Sequence, residues 1–283
     1  MKRGLILEGG AMRGLFSAGV MDAMMDAGLR PDGIVGVSAG AAFGCNYKSG
    51  QRGRAIRYNK RFARDPRYCG VGSLLRSGDI FNAEFAYHVV PSEYDVFDSA
   101  AFEADPMEYY VVATDVTTGN AVYHKCTEGG HPFFEWVRAS ASMPLVSRVV
   151  EIDGLRLLDG GISDSIPLRF MERLGYDANV VILTQPRGYV KRPLRAMPLI
   201  RMALRRYPRL VGAMAARPAM YNAQTAYVAD AEAREGTVVI RPDYPLPIGH
   251  LSHNPDDMER VYQVGYDAGL RHIDTISELW AEG

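Results

Sequence analysis

Gly33-Ile34-Val35-Gly36-Val37-Ser38-Ala39-Gly40-Ala41 runs short apolar and glycine residues into a serine flanked by small residues, and small residues continue after it. A buried strand turning sharply into a helix has this pattern. Gly36, Ala39 and Gly40 let the backbone fold tightly around Ser38 and push its hydroxyl outward. A helix beginning at Ala39 points its N-terminal N–H groups and its dipole at the same spot. Ser38 is therefore a candidate nucleophile. G-x-S-x-G by itself is a weak signal, since at ordinary glycine and serine usage a chain of this length shows it by chance roughly one time in ten. The plainer reading is a strand–helix turn whose serine caps the helix.

Upstream, Gly4 to Leu7 reads as a central strand, and Glu8-Gly9-Gly10-Ala11-Met12-Arg13-Gly14 as a tight glycine loop. Leu15 to Ala27 reads as a helix with Phe16, Val20, Met24 and Ala27 on one face and Asp22 and Asp26 opposite. Gly28 ends it. Strand, loop, helix and strand within about 35 residues make a βαβ unit, so the sheet is at least partly parallel.

Downstream, residues 50–105 are less regular. They read as helices and loops packed over the sheet edge, a candidate cap. Glu108 to Thr114 reads as a strand that turns at Thr118-Gly119-Asn120 into a hairpin with Ala121 to His124. Phe133 to Ser140 reads as a helix that Pro144 brings to a stop. Leu155 to Leu158 reads as a short strand ending in Asp159-Gly160-Gly161. Pro167 to Leu174 follows as a helix, then Asn179 to Thr184 as a strand buried on both faces. Thr237 to Ile240 reads as a last strand. Asn254-Pro255-Asp256-Asp257 opens a final helix that runs to about Trp280.

The chain of 283 residues is long enough for one domain, or a domain with a cap. Its 47% hydrophobic and 23% charged content is that of an ordinary globular protein. A net charge of −1 gives no global pull toward nucleic acid. Cys45, Cys69 and Cys126 are odd in number and lack metal-ligand spacing, which suggests free thiols in a reducing compartment. The N-terminal apolar run is too short for a signal peptide, and no run of about 18 apolar residues occurs. The reading is a cytoplasmic protein. No His, Cys or Asp cluster has ligand spacing, so no metal and no organic cofactor is expected.

An acyl-transfer site needs a nucleophile, a base and donors for an oxyanion. The glycine loop leaves the end of the strand beside Ser38, so its N–H groups can face the hydroxyl. A dinucleotide-binding reading of that loop expects an acidic residue at the end of the second strand, where Ser38 stands instead. None of the six histidines sits in an obvious strand-end turn. Asp159 does, with two glycines after it, and an aspartate within reach can take the serine proton directly. Asp-Gly-Gly taken alone is more simply a turn.

Together, Gly9-Gly10-Ala11-Met12-Arg13-Gly14, Gly36-Val37-Ser38-Ala39-Gly40 and Asp159-Gly160-Gly161 resemble the patatin-like phospholipase family. The resemblance covers most of the chain, including Ala139 to Pro144. It implies a three-layer α/β/α sandwich with a mostly parallel sheet. It also implies a Ser38–Asp159 dyad that hydrolyses lipid acyl esters without a histidine, and an oxyanion hole from the N–H groups around Gly10, Ala11 and Met12. Ala11 departs from the family's third loop glycine, and a positive φ there would strain it. Arg13 matches the family's arginine, with the implied job of holding the loop or a nearby phosphate. One rival is an α/β-hydrolase with a triad of Ser38, Asp159 and His250 or His253, although in that fold several strands precede the nucleophile. The other is a non-catalytic lipid- or anion-binding protein.

Ala178 to Ala229 holds nine basic residues and no acidic one. Leucine, isoleucine and methionine interleave with arginine at helical spacing there, predicting two short helices broken at Pro208. A solvated face paired with acids such as Glu103, Asp105 or Glu108 would explain it. The sharper expectation is a patch of Arg201, Arg205, Arg206 and Arg209 that meets an anionic membrane surface. Few aromatics are present to stack on bases, which speaks against nucleic acid.

Overall fold

The computed structural model describes residues 1–281. Eight strands form one sheet: β1 (Lys2–Leu7), β2 (Gly33–Val37), β3 (Glu108–Asp115), β4 (Ala121–Lys125), β5 (Val150–Ile152), β6 (Leu155–Asp159), β7 (Tyr176–Ile182) and β8 (Thr237–Ile240). Their order is β5-β6-β3-β2-β1-β7-β8, with β4 also paired to β3. The block β3-β2-β1-β7-β8 is parallel, whereas β4, β5 and β6 run antiparallel to their neighbours.

The helices are α1 (Gly14–Asp26), α2 (Ala39–Lys48), α3 (Arg54–Phe62), α4 (Val71–Ser77), α5 (Ser99–Ala104), α6 (Gly130–Ala141), α7 (Leu168–Arg173), α8 (Met197–Ala203), α9 (Pro208–Glu232) and α10 (Pro255–Ala281). A π-helical stretch covers Phe85–Tyr94. Alternation along the parallel strands divides the helices into two layers. Leu5, Leu7 and Ile34 join a core with Phe16, Phe43, Met258 and Val261 from α1, α2 and α10. Ile6, Val35 and Val37 face Leu168, Met171, Tyr221 and Val228 from α7 and α9. The result is an α/β/α sandwich.

Register along β3 places the site. Val37 at the end of β2 pairs with Val112, and Asp159 at the end of β6 pairs with Ala113. β4 covers the other edge of β3 over the same residues. So β2 and β6 share one edge of β3, and their ends meet head-on. Asp159 reaches the C-terminal edge of the parallel strands from the opposite direction, on an antiparallel strand.

Several expectations need correction. β5 makes a hairpin with β6 through Asp153 and Gly154, both at positive φ. α1 is not half-exposed, because Asp22 is buried where α10 packs along the helix. There it accepts from the Tyr262 hydroxyl at 2.7 Å and the Gly53 N–H at 3.0 Å. The helices cross closely: a Cβ on Gly19 would lie 2.1 Å from the Tyr262 carbonyl. Two helices, α8 and α9, do break at Pro208 as the spacing predicts, but the second is not short. α9 runs 25 residues and continues through Pro218, whose lost hydrogen bond is offset by burial of Leu210, Met214, Pro218 and Tyr221.

Candidate active site

Ser38 does not cap α2 with its side chain. Its backbone sits at φ 54° and ψ −120°, a conformation that costs a non-glycine residue about 1–3 kcal/mol. Two groups hold it there. The Ser38 N–H donates to the Ser140 Oγ at 2.8 Å, and that hydroxyl donates to the Val112 carbonyl at 2.6 Å. The Ser38 carbonyl accepts from Ala41 and Ala42 at 3.0 Å each. Gly36 lies within β2, and Gly40 in the first turn of α2. A Cβ on Gly40 would stand 2.6 Å from the Leu7 carbonyl, so only glycine lets the new helix start against β1.

The loop after β1 holds one tight 3₁₀ turn over Ala11–Arg13, between Gly9-Gly10 and Gly14. Ala11 adopts φ 49°, the left-handed region, so the strain that an alanine brings there is present. Among the described residues, the N–H groups of Gly10, Ala11 and Met12 have no protein acceptor, whereas that of Arg13 donates to Gly10. Glu8 anchors the loop: its carboxylate accepts from the Thr184 N–H at 2.5 Å and the Tyr221 hydroxyl at 2.7 Å. Burial pushes the Glu8 pKa upward against those bonds.

Asp159 is buried. Its N–H donates to the Ser142 carbonyl, its carbonyl accepts from Thr114, and its Oδ1 accepts from the Gly161 N–H at 2.8 Å. Burial raises its pKa, while the Arg217 charge, the nearby Ser38 side chain, the Gly161 N–H and Lys191 pull it back down. Gly160 and Gly161 form the turn after it, and the Gly161 carbonyl accepts from the Arg217 Nε at 2.6 Å.

Two cavities meet at Ser38. One, about 990 Å³, is lined by Glu8, Gly9, Gly10, Ala11, Arg13, Ser38, Asp159, Gly161, Lys191, Arg192, Arg217, Tyr221 and His250. The other, about 80 Å³, is mainly apolar, with Met12, Ala42, Phe43, Phe81, Ala86, Val90, Phe134 and Met143 in its wall beside Ser38, Arg54 and Asn59. The structure thus brings together Ser38, Asp159, Gly10, Ala11 and Met12.

The histidines of the rival triad are bonded elsewhere. His250 lines the larger cavity but bonds the Arg13 guanidinium at 2.9 Å, and burial, with Arg13, Lys191 and Arg217, lowers its pKa. His253 bonds the Ala63 carbonyl. Sequence spacing had shown no metal-type cluster, yet folding brings ligand atoms of His88, His131 and Glu135 within 4.8 Å of one another, in neither cavity wall. Cys45, Cys69 and Cys126 are buried and free, and burial raises their thiol pKa values.

The sequence did not point to Ser140, Glu8, Thr184, Lys191 or Arg217 as site residues. Ser140 is 102 positions from Ser38. Glu8 stands where a strand leaves the sheet, a place in which a buried carboxylate needs partners, and that was the available signal. In the basic stretch, Arg201, Arg205, Arg206 and Arg209 are exposed and none forms a salt bridge among the described residues. The acids that might have paired with them are engaged elsewhere: Glu103 with the Gly129 N–H, Asp105 with Arg30, and Glu108 with Lys2 and Lys125.

Comparisons with known proteins give the chain's family. A sequence model of the family described as patatin-like phospholipase matches residues 5–171, and one described as a domain of unknown function, DUF6363, matches residues 207–281. The chain is 34% identical over 191 residues to the uncharacterized protein YjjU of Escherichia coli, covering 64% of this chain and 52% of that protein. It is 28% identical to an uncharacterized NTE family protein of Mycobacterium tuberculosis, covering 63% of this chain and 48% of that one. It is 30% identical to the lysophospholipase nte1 of Emericella nidulans over 62% of this chain, which is 11% of that protein. The chain therefore spans about half or less of these relatives' length. With VipD from Legionella pneumophila it aligns over 97% of its length and 67% of that chain, at a TM-score of 0.46 and 12% identity. No helix among the described residues is long and apolar enough to cross a membrane. With more than half its residues matched by the family and the serine elbow, glycine loop and aspartate turn all within the match, the chain belongs to the patatin-like phospholipase family.

Proposed function

We propose that the chain hydrolyses carboxylic esters of lipids, with Ser38 as nucleophile and Asp159 as general base. The observation that carries this reading is the strained Ser38 at the end of β2, in one cavity wall with the buried carboxylate of Asp159 from the opposing strand end. Asp159 takes the hydroxyl proton as Oγ attacks the ester carbon. The negative charge that develops on the carbonyl oxygen meets the N–H groups of Gly10, Ala11 and Met12. Asp159 then gives its proton to the leaving alcohol. A water activated by the same carboxylate releases the acid from the acyl-serine. The lysophospholipase among the relatives supports a lipid ester as substrate.

The whole chain is read as one catalytic unit, with residues 50–105 as its cap. Supporting this, Met258 and Val261 of α10 share a core with Leu5 and Phe16. Arg201, Arg205, Arg206 and Arg209 dock the enzyme peripherally on anionic membrane. Unpaired arginines stand there beside exposed Leu199, 54% accessible, and Met202, 66% accessible. A screen of acyl esters by chain length and head group, with Ser38→Ala as the blank, tests the reading. Hydrolysis that the blank abolishes supports it. Turnover equal in both proteins, or none on any ester, overturns it.

A further inference from the structure

His88 lies in the π-helical stretch, and His131 and Glu135 stand at i and i+4 in α6. That spacing puts both α6 side chains on one helix face. The Glu135 Oε1 accepts from the His88 Nε2 at 2.8 Å, and its other oxygen meets the Arg138 guanidinium at 3.1 Å. A hydrogen-bonded pair accounts for His88 and Glu135 but not for His131. That exposed ring stacks on His88, with centroids 4.3 Å apart and 10° between planes. Among the described residues its nitrogens have no protein hydrogen-bond partner. Its ligand atom nevertheless lies within 4.8 Å of those of both His88 and Glu135.

Around zinc, ligands stand about 2.0–2.2 Å from the ion and, at tetrahedral angles, about 3.4 Å from one another. The separations here, 2.8 Å for one pair and none above 4.8 Å, bracket that value. Two imidazoles and a carboxylate suit zinc, whereas magnesium and calcium take oxygen donors. Arg138 holds one carboxylate oxygen and leaves the other turned to the imidazole, the kind of support that orients a metal ligand. The exposed side leaves room for a water as fourth ligand.

None of the three residues lines either cavity, so an ion there takes no part in chemistry at Ser38. The two elements they join do wall the small cavity, through Ala86, Val90 and Pro91 on one and Phe134 and Val137 on the other. The π-helical stretch buries only Phe85, Val90 and Pro91, so packing alone holds it lightly. π-Helical turns mostly occur singly and gather at functional sites. We propose that His88, His131 and Glu135 form a zinc site that clasps the π-helical stretch to α6 and so steadies one wall of the small cavity.

The experiment titrates the full chain, freed of metal by a chelator, with Zn²⁺ alone in a calorimeter. One ion per chain is expected to bind. His131→Ala, at an exposed position, and Glu135→Gln, of nearly the same shape, should each weaken binding by more than the about tenfold to hundredfold that loss of a ligand's supporting partner costs. His272→Ala should bind as the wild type does, since that ring bonds the Ala268 carbonyl on α10. Hydrogen exchange across Phe85–Tyr94 should slow with Zn²⁺ in the wild type and in neither ligand variant. Mg²⁺ at the same concentration should have no such effect. No binding of Zn²⁺, an equal response to Mg²⁺, or binding undiminished in either ligand variant overturns the proposal. Binding that both variants lose, with exchange across Phe85–Tyr94 unchanged by Zn²⁺, overturns the clasp. These readouts stand whether or not the chain hydrolyses esters.

Discussion

On one side of Ser38 lie aromatic and aliphatic side chains from α2, α3, the π-helical stretch and α6; on the other Glu8, Arg13, Lys191 and Arg217 stand among aliphatic residues such as Leu145, Ile162, Ile200 and Met214. The first wall comes from residues 11–143, and the second from residues 8–38, 143–165 and 185–250. The walls also differ in how they are held. Behind the apolar wall Phe62 packs edge-on against Phe85 and Tyr94, with centroids 5.3 Å apart in both pairs. The charged wall is fixed by hydrogen bonds to backbone, such as Arg217 to Gly161 and Thr184 to Glu8. Packing gives a slot that measures length and shape. Directed bonds give charges at fixed points. A molecule with an apolar tail and a charged head satisfies both.

The sharpest way to break this comparison is at the point where the walls meet. Ser38→Ala and Asp159→Asn should each lower ester hydrolysis at least ~10³-fold with the fold intact by circular dichroism. His253→Ala should keep most of the activity. Were it as inactive as Ser38→Ala, a triad would replace the dyad.

Next in size is the outer surface of the charged side. Changing Arg201, Arg205, Arg206 and Arg209 together to Gln should abolish sedimentation with anionic vesicles at low salt, since each arginine contributes about 1 kcal/mol at such a surface. Equal binding by both proteins would return these residues to ordinary solvated surface.

The apolar wall offers a smaller effect. Ala86→Trp fills the slot and should reduce kcat/KM for long-chain esters about tenfold relative to acetyl esters, as each buried methylene carries about 0.8 kcal/mol. An unchanged chain-length profile would move the acyl chain elsewhere.

A pH effect separates the two walls further. Lys191 loses its charge as pH rises through about 8, a value set by burial, Arg217 and Arg13 against Glu8 and Asp159, with the Tyr189 and Tyr221 rings beside it. The ammonium is present below that value and absent above it. Preference for a phosphorylated over a neutral ester should therefore decline above about 8, and Lys191→Arg should flatten the decline. Preference between chain lengths should not follow pH.

Smallest is Ala11→Gly. The left-handed conformation costs alanine about 1–2 kcal/mol, and the freer unfolded glycine chain takes back about 0.4–1 kcal/mol. A net gain of up to about 1.6 kcal/mol in unfolding free energy is expected. A loss of that size would contradict the positive φ.

How much of this was legible in the sequence differs between the same regions. The βαβ unit and the elbow could be read because their cause is local: small residues at Gly36, Ala39 and Gly40 admit only a tight turn. The three-layer sandwich was implied by the resemblance, and the parallel strands follow from the short βαβ spacing. β5 is not in the sequence reading although Asp153-Gly154 between apolar runs is a strong hairpin signal. Asp22 looked like a solvent-facing residue because nothing in α1 itself reveals that α10, more than 200 residues later, covers it. Ser140, Lys191 and Arg217 were invisible as site residues for the same reason. Lys191 and the surface arginines share one acid-free stretch, and only the fold separates the side chains that turn inward from those that turn out.

The central claim is that Ser38 is the reactive group, and the direct measurement is its labelling by a fluorophosphonate, followed by intact mass and peptide mapping. One adduct, on Ser38, absent from Ser38→Ala and slowed in Asp159→Asn, is the predicted result. An adduct on another residue, or labelling that persists in Ser38→Ala, would contradict the account.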